Sequence, residues 1–206
     1  MTTKASYQRA RKEAEQYFHD RNWKPFPFQK EAWKSYAEGK SGLVHAPTGT
    51  GKTYAVWTPT LLEWMSEQKG KEMPKRAPQL RVLWLTPLRA LVEDTTRTLE
   101  ELSEGLGLPW SIESRTGDTS GAVKAKQRKK YPACFVTTPE SLSLLLSYPE
   151  TKEAFSDLRA VIVDEWHELL SSKRGTQTEL CLARLRKWNP ELKTWGLSAT
   201  LGNLGT

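Results

Sequence analysis

A glycine-rich segment carries the most specific chemistry in this sequence. It runs from Ala46 to Thr53, reads APTGTGKT, follows an apolar strand pattern and opens a helical one. Backbone N–H groups of such a loop converge on phosphate oxygens at a helix N-terminus. Lys52 would neutralise the β and γ phosphates of a nucleoside triphosphate, and the Thr53 hydroxyl would bind Mg²⁺. The predicted nucleotide contacts in the loop are Thr48, Gly49, Thr50, Gly51, Lys52 and Thr53.

Two adjacent carboxylates follow another apolar strand pattern. The segment from Val161 to His167 reads VIVDEWH, and open α/β sheets bind ligands at the carboxyl ends of their strands. Asp164 would hold Mg²⁺, and Glu165 would orient or deprotonate an attacking water. The alternative for these two residues is that they only cap a helix. The alternative for the upstream loop is a glycine-rich turn that arose by chance. The presence of both segments in one chain favours phosphoryl-transfer chemistry.

Composition limits the function classes. The 206 residues suffice for one domain, and 37% hydrophobic with 27% charged residues is typical of a folded chain. A net charge of +7 and a pI near 9.4 favour a polyanionic partner. No stretch approaches the roughly 18 apolar residues of a membrane span, so we expect a soluble cytoplasmic protein without a membrane partner. Cys134 and Cys181 lack metal-type spacing and are predicted as buried thiols.

Apolar runs bounded by turn residues alternate with helical patterns along the chain. This alternation predicts an α/β fold with a mostly parallel sheet and helices on both faces. An amphipathic stretch from Ser6 to Phe18 precedes a helix that begins near Phe28. Residues 1–24 are therefore predicted as a helical appendage and 25–206 as the main domain. The predicted strands are Gly42–His45, Arg81–Thr86, Trp110–Arg115, Ala133–Thr137, Ala160–Val163 and Thr194–Leu197.

Three segments, taken in order, resemble a known family. APTGTGKT at 46–53, DEWH at 164–167 and SAT at 198–200 resemble motifs I, II and III of superfamily 2 helicases of the DExH-box type. The tryptophan of DEWH and the following Glu168-Leu169 are most similar to the large helicase-related (Lhr) group, particularly the bacterial ligase-associated DEXH-box helicases. The resemblance implies a RecA-like P-loop NTPase domain that uses ATP and Mg²⁺, with Glu165, Lys52 and Asp164 as catalytic residues.

The resemblance also assigns roles outside the two nucleotide segments. Gln29 follows FPF at 26–28 and resembles the Q-motif glutamine that hydrogen-bonds the adenine edge. A surface glutamine without a role is the alternative. Ser198 and Thr200 resemble the motif III residues that couple hydrolysis to domain movement, and His167 would be their partner.

Three further segments resemble nucleic-acid contacts of the family. TPLRAL at 86–91 resembles motif Ia, TPES at 138–141 motif Ib, and RTGDT at 115–119 a glycine-containing strand contact. Their threonines and prolines also fit helix caps, and both interpretations can hold at once. The basic stretch 124–130 is assigned to a solvated helix face, and 173–175 is left open between that and strand binding. The implied contacts are Thr86, Pro87, Arg89, Gly117, Thr138, Pro139 and Glu140.

The sequence thus predicts the motor domain of an ATP-dependent DNA helicase. Only six residues follow the SAT segment, so no second RecA-like domain is expected in these 206 residues, and alone they should bind ATP weakly and hydrolyse it slowly. The implied partners are single-stranded DNA, a second RecA-like domain of the full-length chain, a DNA ligase and a nuclease, at a bacterial nucleoid. An RNA-directed helicase, a kinase-like P-loop enzyme and a binding module with a vestigial site are the alternatives.

Overall fold

Six parallel strands form one sheet in the order β1-β6-β5-β2-β4-β3. The structure is a computed structural model that describes residues 4–68, 74–169 and 172–199. Thr200, expected in the third motif, lies outside these residues. The strands are β1 Gly42–His45, β2 Val82–Leu85, β3 Ile112–Arg115, β4 Cys134–Thr137, β5 Ala160–Val163 and β6 Lys193–Ser198. The predicted α/β class and the six predicted strands are confirmed; β2, β3 and β4 are shorter than predicted, and β6 is longer.

Helices connect the strands, as the parallel pairing requires. In chain order they are α1 Lys4–Asp20, α2 Pro27–Ala37, α3 Lys52–Glu67, α4 Val92–Gly105, α5 Gly121–Lys129, α6 Pro139–Leu146, α7 Thr151–Ala154, α8 Trp166–Leu169 and α9 Lys173–Trp188. A short 3₁₀ turn, Arg89–Leu91, precedes α4. Within the described ranges, no helix is both long and apolar enough to cross a bilayer.

The four inner strands, β6, β5, β2 and β4, are buried on both faces. β5 (AVIV), β2 (VLWL) and β4 (CFVT) have no exposed residue, which is the continuous apolar pattern of a sheet covered on both sides. Because side chains alternate between faces, Trp84 joins a core with α1 to α4, whereas Leu83 joins a core with α6 and α9. The sheet is therefore held rigidly between two helical layers.

The N-terminal helix packs into the main core. In α1, Ala14 and Phe18 are buried, and the Phe18 ring stacks on Trp33 of α2 with centroids 5.9 Å apart. Burial of one face of α1 against α3 explains its amphipathic pattern. The appendage is helical as expected, and the division of the chain at residue 24 stays a prediction.

Candidate nucleotide and nucleic-acid site

All the candidate motifs lie at one edge of the sheet. Because the strands are parallel, their carboxyl ends meet at the same edge, and the strand order divides this edge into two halves. One half, at the ends of β1, β6 and β5, carries the loop 46–53, Ser198 and the acids 164–165. The other half, at the ends of β2, β4 and β3, carries the segments 86–91, 138–141 and 115–119, the last of which begins with the final residue of β3. Nucleotide candidates and strand candidates are thus neighbours on one edge.

The loop between β1 and α3 has the backbone shape of a phosphate cradle. Gly49 and Gly51 adopt left-handed φ values of 77° and 79°, and Gly51 is the N-cap of α3. The first N–H groups of α3 have no acceptor inside the helix, so they are available to an anion. The Lys52 ammonium donates to the carbonyls of Ala46 and Pro47 at 2.7 and 3.1 Å. It therefore already lies over the loop that would receive phosphates.

Gln29 is buried and fixed beside the phosphate loop. Its Oε1 accepts from the Phe26 N–H at 2.8 Å, and its Nε2 donates to the Gly51 carbonyl at 2.8 Å. It is thus not a surface glutamine, because only 5% of it is exposed. A cavity of about 330 Å³ adjoins this amide and is walled by aromatic rings. The rings belong to Phe18, Trp23, Phe26 and Tyr54.

The carboxylate pair follows β5 directly. Asp164 Oδ1 accepts from the Glu165 N–H at 2.9 Å, and the Asp164 N–H donates to Leu85 of β2 at 2.7 Å. Burial raises the pKa of the Asp164 carboxyl above its ordinary value, and the Glu165 charge adds to this rise. The Glu165 N–H, the Trp84 indole and the Lys52 ammonium oppose it. Asp164 is therefore a carboxylate that a nearby cation would stabilise.

Glu165 has a strained backbone. Its φ is +44°, in the left-handed region that disfavours most side chains. Its Oε2 is buried and lies 3.3 Å from His167 Nδ1, and no described residue gives it a well-formed hydrogen bond. Strain of this kind persists where surrounding structure enforces it, and it concentrates at functional sites.

His167 connects the acids to the end of β6. Its Nδ1 lies 3.2 Å from Ser198 Oγ, and its Nε2 lies 3.4 Å from Glu168 Oε1. The Ser198 carbonyl accepts from the Ala46 N–H at 3.3 Å, at the start of the phosphate loop. Ser198 at the end of β6 is therefore in contact with both the phosphate loop and the segment that carries the acids.

The strand half is built from loops and helix starts. Thr138 is the N-cap of α6, where its hydroxyl accepts from the Ser141 N–H, and Pro139 is in the first turn. Arg89 lies at 3.1 Å from the Asp118 carboxylate, and a Cβ on Gly117 would be 3.0 Å from the Arg89 guanidinium. The helix-cap interpretation therefore holds at Thr138, alongside any role in strand binding.

One residue whose role the sequence left open joins two segments of this half. Arg174, in the first turn of α9, donates from Nε to Glu140 Oε1 at 2.7 Å and from Nη1 to the Pro87 carbonyl at 3.0 Å. The basic stretch of α5 also contributes, since Lys124 donates to the Gly117 carbonyl at 2.8 Å. Side-chain contacts between distant segments carry no pattern in a single sequence, so neither was predicted.

The fold and this edge define a RecA-like P-loop domain of the helicase type. The family model for DEAD/DEAH box helicases matches residues 26–205. The chain belongs to the DEAD/DEAH box helicase family.

Lhr-type helicases are among its relatives. ATP-dependent helicase Lhr-Core protein 2 of Thermococcus barophilus is 39% identical over 185 residues, which are 85% of this chain and 21% of the relative. Lhr helicase/uracil glycosylase of Escherichia coli is 33% identical over 190 residues, which are 86% of this chain and 12% of the relative. The chain thus spans about a fifth of the length of the first relative and a smaller share of the second. The expected Lhr resemblance is confirmed.

Solved structures agree with the fold. The Mycobacterium smegmatis helicase Lhr, bound to ssDNA and AMP-PNP, superposes with a TM-score of 0.78 at 32% identity, covering 92% of this chain and 24% of that one. The helicase MrfA bound to DNA and AMPPNP gives a TM-score of 0.75 at 23% identity, covering 93% of this chain and 26% of that chain, and shows the fold alone.

Proposed function

We propose that this chain is the ATP-binding motor domain of an ATP-dependent DNA helicase or translocase. The observation that carries the proposal is the division of one sheet edge between nucleotide and strand candidates. A motor must couple hydrolysis to movement on a strand, and adjacent sites on a rigid sheet allow such coupling over a short distance. The Lhr-type relatives support the same assignment.

The chain's own residues would bind and orient the triphosphate. Lys52 would exchange the carbonyls of Ala46 and Pro47 for β and γ phosphate oxygens, while Thr48, Gly49, Thr50 and Gly51 shape the cradle. The aromatic cavity beside Gln29 is wide enough for a base. Because both atoms of the Gln29 amide already bind backbone, its remaining N–H and lone pair would read the adenine edge.

Magnesium fits the donors that the site presents. The half-buried Asp164 has a pKa that burial raises in spite of the Lys52 charge, so a further cation would stabilise its ionised form. The Thr53 hydroxyl stands at the start of α3. No cluster of three or more His, Cys, Asp or Glu side chains occurs in the described part of the chain, in keeping with an ion that takes few protein ligands. When bound, Mg²⁺ neutralises charge on the β and γ phosphates.

Glu165 would orient or deprotonate the water that attacks the γ phosphate. No described residue gives its buried Oε2 a well-formed hydrogen bond, so the side chain would give up none at this oxygen when it turns to accept one from the water. His167 and Ser198, in contact at 3.2 Å, would transmit the change at the γ phosphate to β6, and Thr200 would act with them.

The strand half would hold phosphates of single-stranded DNA. Protein groups that position a nucleic-acid backbone are backbone atoms, hydroxyls, guanidinium groups and helix N-termini. This half offers all four, in the Arg89 guanidinium, in the N-terminus of α6 at Pro139 and Glu140, and in the backbone and hydroxyl groups of Thr86, Pro87, Gly117 and Thr138. The DNA assignment rests on the Lhr relative bound to ssDNA. Contacts of this type carry little base information, so RNA is the competing ligand in the test below.

The wider setting of this domain is also a proposal. We infer that it acts within a longer polypeptide with a second RecA-like domain that completes the ATP site. A DNA ligase and a nuclease as repair partners, and a bacterial nucleoid as location, rest on the resemblance to ligase-associated helicases alone. Co-purification of the full-length protein with a ligase or nuclease would test these partners.

The Glu165→Gln variant of the full-length protein tests the motor assignment. It should lose ATP turnover and retain ATP-dependent binding of single-stranded DNA, because the amide keeps the shape of Glu165 without its basicity. Binding that is independent of ATP in both proteins would indicate a module with a vestigial site. Preference for RNA over DNA of equal length would overturn the DNA assignment. Robust strand-stimulated turnover by the 206 residues alone would contradict the need for a second domain.

A further inference from the structure

The first turn of α9 joins two segments that are distant in sequence. Arg174 Nε donates to Glu140 Oε1 of α6 at 2.7 Å, and Arg174 Nη1 donates to the carbonyl of Pro87 after β2 at 3.0 Å. The two acceptors belong to the motif Ib and motif Ia segments. One guanidinium therefore fixes the spacing between the two backbone segments of the strand half.

The position of Arg174 is tied to the helix that follows the acids. A Cβ on Gly175 would overlap the carbonyl oxygen of Leu169, the last residue of α8. The Ser172 hydroxyl donates to that same carbonyl at 2.9 Å and accepts from the Gly175 N–H at 3.1 Å. The start of α9 is thus packed directly on the end of α8, which carries His167.

The charge of Glu140 needs a neighbour of opposite sign. A carboxylate among groups that bind strand phosphates would repel them. Burial favours its neutral form, yet the pKa of Glu140 is lowered, because its own backbone N–H, the Thr138 hydroxyl and Arg174 stabilise the anion. Arg174 therefore neutralises a charge that stays ionised at neutral pH.

We propose that Arg174 is a positioning residue for strand binding, which holds the Pro87 and Glu140 segments together, screens Glu140 from phosphate, and links both segments to α8. This inference rests on the proposed function, since it explains how the nucleotide half and the strand half are held in a fixed arrangement. The guanidinium acts through its two acceptors rather than on the strand. Only a planar fork can reach both acceptors with separate N–H groups.

The contact adds little to the stability of the fold. The side chains of Arg174 and Glu140 are 48% and 43% exposed, and ion pairs at such sites are weak because water screens them. Variants should therefore fold with an unchanged melting temperature. A change in strand affinity can then be assigned to the site.

The test measures binding of a fluorescein-labelled oligothymidylate to the 206-residue chain, and to the full-length protein, with Mg²⁺ and a non-hydrolysable ATP analogue. Arg174→Ala should weaken strand binding by about tenfold, because it leaves the Glu140 carboxylate unscreened beside the strand phosphates and releases the spacing of the two segments. Affinity for the ATP analogue should not change. Lys173→Ala, which removes the same charge one residue earlier, is the matched control and should bind the strand like the wild type.

Two further variants distinguish positioning from direct contact. Arg174→Lys should not restore affinity, because an ammonium cannot bridge both acceptors. Adding Glu140→Gln to Arg174→Ala should recover part of the binding, because it removes the unscreened carboxylate. Full rescue by lysine, no recovery in the double variant, or equal losses at Lys173 and Arg174 would each overturn the inference. Absence of strand binding by the wild type would instead overturn the proposed function, and this inference with it.

Discussion

Replacement of Glu165 by glycine and by alanine should separate the strain at this residue from its chemistry. Glu165 has a φ of +44°, and a residue with a Cβ in the left-handed region costs about 1–2 kcal/mol. In the described residues, Asn22, at +56°, is the one other non-glycine residue with positive φ, and asparagine tolerates that region. Glu165 does not share this tolerance, so the surrounding structure must hold it there.

The expected magnitude follows from comparing the two variants. Both remove the carboxylate, its 3.3 Å contact with His167 and its buried Oε2. Glycine also relieves the strain, while its greater freedom in the unfolded chain costs about 0.5–1 kcal/mol relative to alanine. Glu165→Gly should therefore be more stable than Glu165→Ala by about 0.5–1 kcal/mol. Both should lack ATP turnover.

Urea unfolding of the 206-residue chain measures the difference. The control is the same pair at Glu168, which lies in α8 with a half-exposed side chain. There glycine should be less stable than alanine by about 1 kcal/mol, as in an ordinary helix. The reasoning fails if glycine is also the less stable variant at Glu165, because the backbone would then carry no strain that a glycine can release.

Three other variants test the site and the core. Asp164→Asn should stabilise the nucleotide-free protein at neutral pH and abolish Mg²⁺-dependent ATP binding. Because the pKa of Asp164 is raised in the folded state, this residue contributes favourably to stability below about pH 3.9, and the contribution is lost as pH rises through the folded pKa. The stability advantage of asparagine in urea unfolding should therefore grow over that range and vanish in acid. Gly51→Ala should destabilise by about 1–3 kcal/mol and weaken ATP binding in titration calorimetry, since φ is +79° and a Cβ would be 2.7 Å from Gln29 Nε2. Lys193→Ala should cost about 3 kcal/mol in urea unfolding, because Glu63 would lose its buried partner at 2.8 Å; equal stability would mean that Glu63 is otherwise compensated.

The strands and the phosphate loop could be predicted because their signals are local. AVIV at 160–163 and CFVT at 134–137 are apolar runs bounded by turns, and the loop at 46–53 is specified by residue type and spacing. The strand order could not be predicted, because buried parallel strands carry nearly the same pattern whichever neighbour they pair with. The division of the edge into two halves depends on that order.

Contacts between side chains could not be predicted from the sequence either. The bonds from Gln29 to Phe26 and Gly51 explain why this glutamine is buried, but no pattern around it distinguishes this from a surface residue. The positive φ of Glu165 is invisible in the sequence, since glutamate is not a residue that signals a left-handed turn. Arg174 lies 34 residues from Glu140 and 87 from Pro87. Only the folded chain brings these groups together.

In the proposed motor, the path that couples ATP hydrolysis to strand binding is shortest at the boundary between the two halves of the edge. β5 and β2 are adjacent strands, about 4.8 Å apart in the hydrogen-bonding direction, so the acids after β5 and the Thr86 segment after β2 begin side by side. The Asp164 N–H donates to Leu85 at 2.7 Å, one residue before Thr86. Arg174 adds a second connection to the same segment through Pro87. If the acids shift on phosphate release, as the proposed function implies, the shift would reach this segment through a backbone hydrogen bond and a guanidinium, without any rearrangement of the buried sheet.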